Sequence, residues 1–261
     1  SGETIRCWIP FPREIEGRQY KIKLLNSEPA DYQIADNQDC LQRTIYFEKP
    51  SEGDKETEFS VSYEFTSLAA YYPLSSETVR TVSDMDNFSP YLTEDPPNIL
   101  FTPELKDLSA NIVGDEQNPY KIARSIYAWI DENIPWASAR EYSTIRNLSQ
   151  YCYENMHGDC GIKAMLFITL LRLNGIPARW QSGWEFQPPH HNMHDWGMAY
   201  FEPFGWVPVD VDYGLQDSDL KYIYDGLSDC RAAALLGGGM KVCTVGCLGL
   251  GSCANACPFD A

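Results

Sequence analysis

The sequence predicts an α+β protein with a central buried helix followed by short strands, two of them an antiparallel hairpin, and preceded by a small β-sandwich-like unit. Three observations predict this. Period-two alternation is confined to the first third, capped segments of helical spacing occupy the middle, and a nearly all-apolar run from Ile162 to Leu173 comes just before a set of short strands.

The strand signals run from Ile5 to about Tyr72. Ile5 to Ile9, Tyr20 to Leu24, Thr44 to Phe47 and Phe59 to Phe65 alternate apolar with polar residues, and Pro, Gly, Asn and Asp punctuate them. Between Ser75 and Asn98 the apolar rhythm fades into Ser, Asp and Pro, which reads as a linker or crossing segment. Helices follow. Thr102-Pro103 and Asn118-Pro119 each place a capping side chain before a proline in the first helical position. In the second helix Ile122, Ile126, Trp129 and Ile130 share one face, which is therefore core. A polar stretch from about Ser138 to Gln150 leads to His157-Gly158-Asp159-Cys160-Gly161.

The helix after this motif is apolar nearly all round except for Lys163, Thr169 and Arg172, so it is central and buried, and Asn174-Gly175 stops it. Asp159 can cap it. That puts Cys160 in the first turn, where free N–H groups and the positive end of the helix dipole suit a thiolate. Short strands come next: Ala178 to Trp184, His194 to Phe201 and Trp206 to Val211, the last two forming a hairpin about Glu202 to Gly205. With an odd loop such as Glu202 to Phe204, Asp210 pairs with Trp196 and faces the same side as His194. Diagonal neighbours of that kind lie about 7–8 Å apart, within reach of side chains. An even loop would separate them.

Cys160, His194 and Asp210 are thus candidates for a nucleophile, its base and the group that orients the base. Asp212, on the same strand face, is the alternative third member. His190 and His191 form a His-His-x-x-His string with His194; without a carboxylate at ligand spacing it reads as a solvated loop after Pro188-Pro189. His157 belongs to the turn before Cys160. The backbone N–H of Cys160 is a candidate oxyanion donor, with Trp136 a second, looser candidate.

Four blocks carry a family resemblance: Gly158-Asp159-Cys160-Gly161, Leu170 through Arg179, His194-Asp195-Trp196, and Gly205 through Asp210. In this order and spacing, over roughly residues 97 to 215, they resemble the core of the transglutaminase-like superfamily. The resemblance implies a papain-like α+β fold, with the buried helix packed on an antiparallel sheet, and a thioester on Cys160, with His194 as base and Asp210 holding the imidazole. It implies a peptide or protein substrate and no cofactor. The superfamily includes amide-crosslinking enzymes, peptidases, amidases and proteins that have lost the triad. For a bacterial-looking chain of this organisation, hydrolysis is the expectation over crosslinking.

The end of the chain is of another character. Nine cysteines occur in all; Cys7, Cys40, Cys152 and Cys160 are scattered, whereas Cys230, Cys243, Cys247, Cys253 and Cys257 crowd together. The stretch from Tyr224 to Ala261, with Gly237-Gly238-Gly239 and Cys257-Pro258, is similar to the iron–sulfur region of the B-type component of the Rnf electron-transport complex. That resemblance implies a [4Fe–4S] cluster on Cys243, Cys247, Cys253 and Cys257. In two-cluster ferredoxins the Cys before Pro ligates the other cluster, which leaves the fourth ligand open between Cys257 and Cys230. The change of character near residues 211–223 reads as a junction of two unlike sequences.

These readings divide the chain into a β-rich domain (1–74), a linker (75–97), a transglutaminase-like catalytic domain (98–217) and a Cys-rich ferredoxin-like tail (218–261). Secretion or the periplasm is expected for the catalytic part and the cytoplasm for the tail. A formal charge of −17, with no dense run of Lys and Arg, argues against a nucleic-acid partner. No run of about 18 apolar residues is present for a membrane span.

Overall fold

The alternating segments of the first third form two antiparallel sheets in a computed structural model that describes residues 2–37, 42–51, 53, 55–187 and 190–212. One sheet has the order β1 (Thr4–Pro10), β4 (Thr44–Pro50), β3 (Gln33–Ile34); the other pairs β2 (Gln19–Glu28) with β5 (Ser60–Ser67). Because side chains alternate along a strand, each sheet turns one apolar row inward. Cys7 and Ile9 of β1 lie opposite Phe47 and Ile45 of β4, and the row meets Ile22, Leu24, Val61 and Tyr63 of the second sheet in one cluster sealed by Phe11.

The crossing segment is not slack. It carries a 3₁₀ turn, Asp86–Tyr91, whose Phe88 packs on Tyr200 at 4.3 Å and whose Tyr91 packs edge-on against Trp206 at 4.9 Å. Two aromatic rings three residues apart give this polar stretch its anchorage.

The larger core begins with α1 (Pro103–Val113) and α2 (Pro119–Asn133). Thr102 accepts from the Leu105 N–H, and Asn118 accepts from those of Tyr120 and Lys121, so both caps work as the proline-bearing motifs predict. Ile122, Ile126 and Ile130 are buried on one face of α2. The polar stretch after α2 holds a helix that periodicity did not predict, α3 (Leu148–Asn155), capped by Asn147 and burying Leu148 and Cys152. At eight residues it is too short for an apolar stripe to stand out.

The central helix is α4 (Cys160–Leu173), capped by Asp159 through the Ile162 N–H at 3.1 Å. Its polar residues are buried with partners. Lys163 pairs with Asp212 at 3.2 Å, Arg172 donates to the carbonyls of Ala178 and Thr93, and Thr169 bonds the Ser149 hydroxyl at 2.6 Å. Gly175, at φ 71°, reverses the chain at the end of this helix, a conformation that suits a residue with no side chain.

Helix α4 lies on a three-stranded antiparallel sheet of β6 (Ala178–Gln187), β7 (His190–Phe201) and β8 (Gly205–Val209), in that order. Ala178, Ala199, Phe201 and Val207 face α4 in the core. At Gly197 a β-carbon would lie 3.2 Å from Phe167, so helix and strand approach closely there. His190 and His191, expected in a loop, instead begin β7 opposite Gln187 and Phe186, because β6 and β7 pair along their full length. The β7–β8 register sets Phe201 against Gly205 and Gly197 against Val209, which leaves the odd loop Glu202–Phe204.

Candidate active site

Each motif residue is placed by one of these elements. Cys160 opens α4, and its two flanking glycines are required by close packing. A β-carbon at Gly158 would overlap Ile162, and one at Gly161 would overlap the Tyr142 hydroxyl and sit 2.8 Å from Asp195 Oδ2. Asp159, besides capping the helix, accepts a 2.6 Å hydrogen bond from that same Tyr142 hydroxyl. Burial and Asp159 push the Tyr142 phenol up, so it stays protonated as the donor.

His194 projects from β7. The odd hairpin loop carries Asp210, one residue beyond β8, level with Trp196, and His194 Nε2 lies 2.6 Å from Asp210 Oδ2. The carboxylate is held in turn: Oδ1 accepts from the Asp212 N–H at 3.0 Å, and the Asp210 carbonyl accepts from the Tyr127 hydroxyl at 2.8 Å. Hydrogen bonding to Asp210, then to Cys160, pushes the imidazole up to about 10 against the cost of burial. With Nε2 on Asp210, Nδ1 is the nitrogen left for the thiol. Trp196 stacks on the imidazole, 22° from parallel with ring centroids 6.3 Å apart.

The structure therefore brings Cys160, His194 and Asp210 together and sends Asp212 elsewhere, to the ammonium of Lys163. Among the other cysteines, Cys152 is fully buried and its thiol is pushed up to about 12 by burial, which sets it apart from the partly exposed Cys160. His157 sits edge-on to Tyr151, its Nδ1 buried with no partner among the described residues. Trp136 is exposed and bridges to Gly158, alongside the turn that leads into Cys160.

Two residues packed against the turn that presents the sulfur had no role assigned from sequence. Asp195 Oδ2 lies 3.9 Å from Cys160 Sγ, and burial, reinforced by the charge of Asp159, pushes its carboxyl up to about 6. Asp195 stood inside a recognised block but offered no signal of its own beyond adjacency to His194. Tyr142 stood in a stretch read only as polar. No cluster of three or more metal-ligating side chains occurs among the described residues, and Cys230, Cys243, Cys247, Cys253 and Cys257 lie outside them. No helix of the described residues is long and apolar enough to cross a membrane.

A thiol at the start of a buried helix, faced by a histidine–aspartate pair from the adjoining hairpin, is an arrangement suited to thiol-dependent chemistry. Residues 106–211 match the family described as the transglutaminase-like superfamily. Among solved structures, the fold is similar to that of a Cytophaga hutchinsonii protein provisionally assigned as a cysteine protease. The TM-score is 0.62 and the identity 20%, over 82% of this chain and 72% of the other. The Bacillus subtilis protein YebA, itself uncharacterized, is 23% identical over 155 residues, 52% of this chain. A separate stretch of 38 residues, 15% of the chain, is 58% identical to one component of the proton-translocating ferredoxin:NAD(+) oxidoreductase complex of Clostridium ljungdahlii. The chain spans only 13% of the Clostridium relative and 21% of the Bacillus one.

Proposed function

We propose that the chain catalyses thiol-dependent acyl transfer on a peptide or protein amide, with water as the preferred acceptor. The observation that carries this reading is the single imidazole that bonds Asp210 at 2.6 Å through Nε2, which leaves Nδ1 for Cys160. A histidine so placed is charged across the neutral range, and it and the start of α4 together present positive charge to the sulfur. The sulfur attacks the amide carbonyl, His194 gives its proton to the departing amine, and the acyl group remains on Cys160 as a thioester. The acceptor then loses a proton to His194 and attacks the thioester, which frees the sulfur. The N–H of Cys160, in the unpaired first turn of α4, is suited to the oxyanion. Asp210 fixes the ring and balances its charge.

Iodoacetamide labelling tests the pair. Alkylation is expected to be fast at Cys160 and at least tenfold slower in His194→Ala; equal rates in the two proteins defeat the reading. Intact mass after incubation with a peptide amide and a primary amine separates the acceptors, since hydrolysis and amine transfer leave different masses.

A second reading concerns residues 218–261. The 58% identity to a component of an electron-transfer complex supports a [4Fe–4S] cluster on Cys243, Cys247, Cys253 and Cys257. Anaerobic reconstitution with iron and sulfide is then expected to give a brown protein with four iron atoms per cluster. A colourless product without bound iron rejects it.

A further inference from the structure

The face of the β6–β7–β8 sheet opposite α4 looks onto the first-third strands across a cavity of about 570 Å³. Trp184 of β6 donates to the Pro10 carbonyl at 3.2 Å and Gln181 donates to Gln42 at 3.0 Å, so the two walls are joined by hydrogen bonds. The walls carry Arg13, Arg18, Arg43 and Arg179, in a chain with 37 acidic residues against 20 basic ones. The local sign of charge is the reverse of the chain's.

No carboxylate among the described residues forms an ion pair with these arginines. The Arg43 guanidinium lies 5.3 Å over the Phe11 ring and donates to the neutral carbonyls of Ala35 and Pro12, each at 2.9 Å. Arg179 lies 4.2 Å over Trp206, and its Nε is buried without a hydrogen-bond partner. Burial, and to a smaller degree the charge of Arg13, lowers the Arg179 pKa against the opposing influence of Tyr91. Glu14 also lines the cavity but is exposed. Guanidinium groups stacked on aromatic rings, one with an unused buried donor, make a receptor for a planar anion.

Trp196 connects the cavity to the chemistry. Its ring stacks on His194 and also lines the cavity. An extended polypeptide that runs from Cys160 past His194 and over Trp196 therefore enters the cavity.

We infer that this cavity binds the carboxylate side chain of an acidic residue flanking the reacting amide, which makes acidic peptides the preferred substrate class. The purpose of the site rests on the acyl-transfer reading, but its occupancy does not. The volume lies in the range of about 300–1,000 Å³ typical of ligand sites, and the apolar and aromatic parts of the walls suit a peptide better than a free inorganic anion.

The test uses full-length protein carrying Cys160→Ala, so that nothing turns over, and calorimetric titration at low and moderate salt. Three probes are compared: a capped hexapeptide with two glutamates, the same peptide with glutamines in their place, and inorganic phosphate. The glutamate peptide is expected to bind at least tenfold more tightly than its glutamine twin, with the margin narrowing at higher salt. Arg179→Gln is expected to remove most of that margin. Because Arg179 packs on Trp206, Arg18→Gln serves as a second variant, with circular dichroism to confirm folding. Equal affinity for the two peptides overturns the inference, as does a margin that survives both substitutions. It is also overturned if phosphate binds but does not compete with the glutamate peptide. Failure of the acyl-transfer reading would appear instead in the labelling of Cys160 in the parent protein, leaving peptide affinity unchanged.

Discussion

Replacing Asp210 by asparagine keeps the shape of the side chain and removes its charge. In the folded protein the His194 pKa is raised from an ordinary 6.5 to about 10, and the hydrogen bond to Asp210 is the leading cause. If that bond supplies somewhat more than half of the rise, the substitution lowers the His194 pKa by about two, which corresponds to about 3 kcal/mol. The sign follows from linkage. A raised histidine pKa contributes stability that is fully present below 6.5 and is lost as pH rises through about 10. Urea unfolding is therefore expected to show Asp210→Asn destabilised by about 2–3 kcal/mol at pH 7. At pH 10.5, where the ring is mostly neutral in both proteins, the difference should shrink to about 1 kcal/mol, the worth of an ordinary hydrogen bond. A penalty equal at the two pH values would refute the charge-based account of the pair.

Gly161→Ala drives a methyl group into the Tyr142 hydroxyl and the Asp195 carboxyl. It should cost about 1–3 kcal/mol in thermal or urea unfolding and slow Cys160 alkylation, since both neighbours pack against the turn that presents the thiol. Lys163→Met leaves Asp212 buried without its cation and should destabilise by about 3–5 kcal/mol by urea unfolding at pH 7; an effect under 1 kcal/mol would mean water already reaches that carboxylate. For Asp195, raised from 3.8 to about 6, the folded state holds the proton more tightly than the unfolded chain. Its contribution therefore weakens stability as pH rises from about 4 through 6, and Asp195→Asn should flatten that slope in unfolding measured across this window. The same variant removes an anion beside the sulfur, so alkylation of Cys160 above pH 6 should be faster than in the parent.

Much of the site could be read from local chemistry. Thr102-Pro103, Asn118-Pro119 and Asp159 announce their helices because a cap is a short-range device, complete within three or four residues. The His194–Asp210 pairing could be read as a choice between two registers, since strand alternation allows only two answers, and the loop Glu202–Phe204 takes the odd one. What escaped was short or distant. Helix α3 buries too few residues to show a period, and Phe88 and Tyr91 pack on rings that lie more than a hundred residues later. The path of β7 through His190 and His191 is set by pairing with β6 and not by the prolines before it. Tyr142 and Asp195 reach the turn that carries the thiol through packing between elements, which no spacing rule encodes. The arginine cavity is the same case on a larger scale, since its walls come from opposite ends of the described chain.

Asp210 lies one step past the last paired residue of β8, so the hairpin's own ladder does not hold it. Its backbone is tethered instead to α2, through the Tyr127 hydroxyl. The third member of the constellation thus depends on a clasp between a strand end and a helix that takes no part in the chemistry. Strand ends open far more readily than whole domains unfold. The hold of Asp210 on the imidazole is accordingly tied in part to a clasp that can open while the core stays folded.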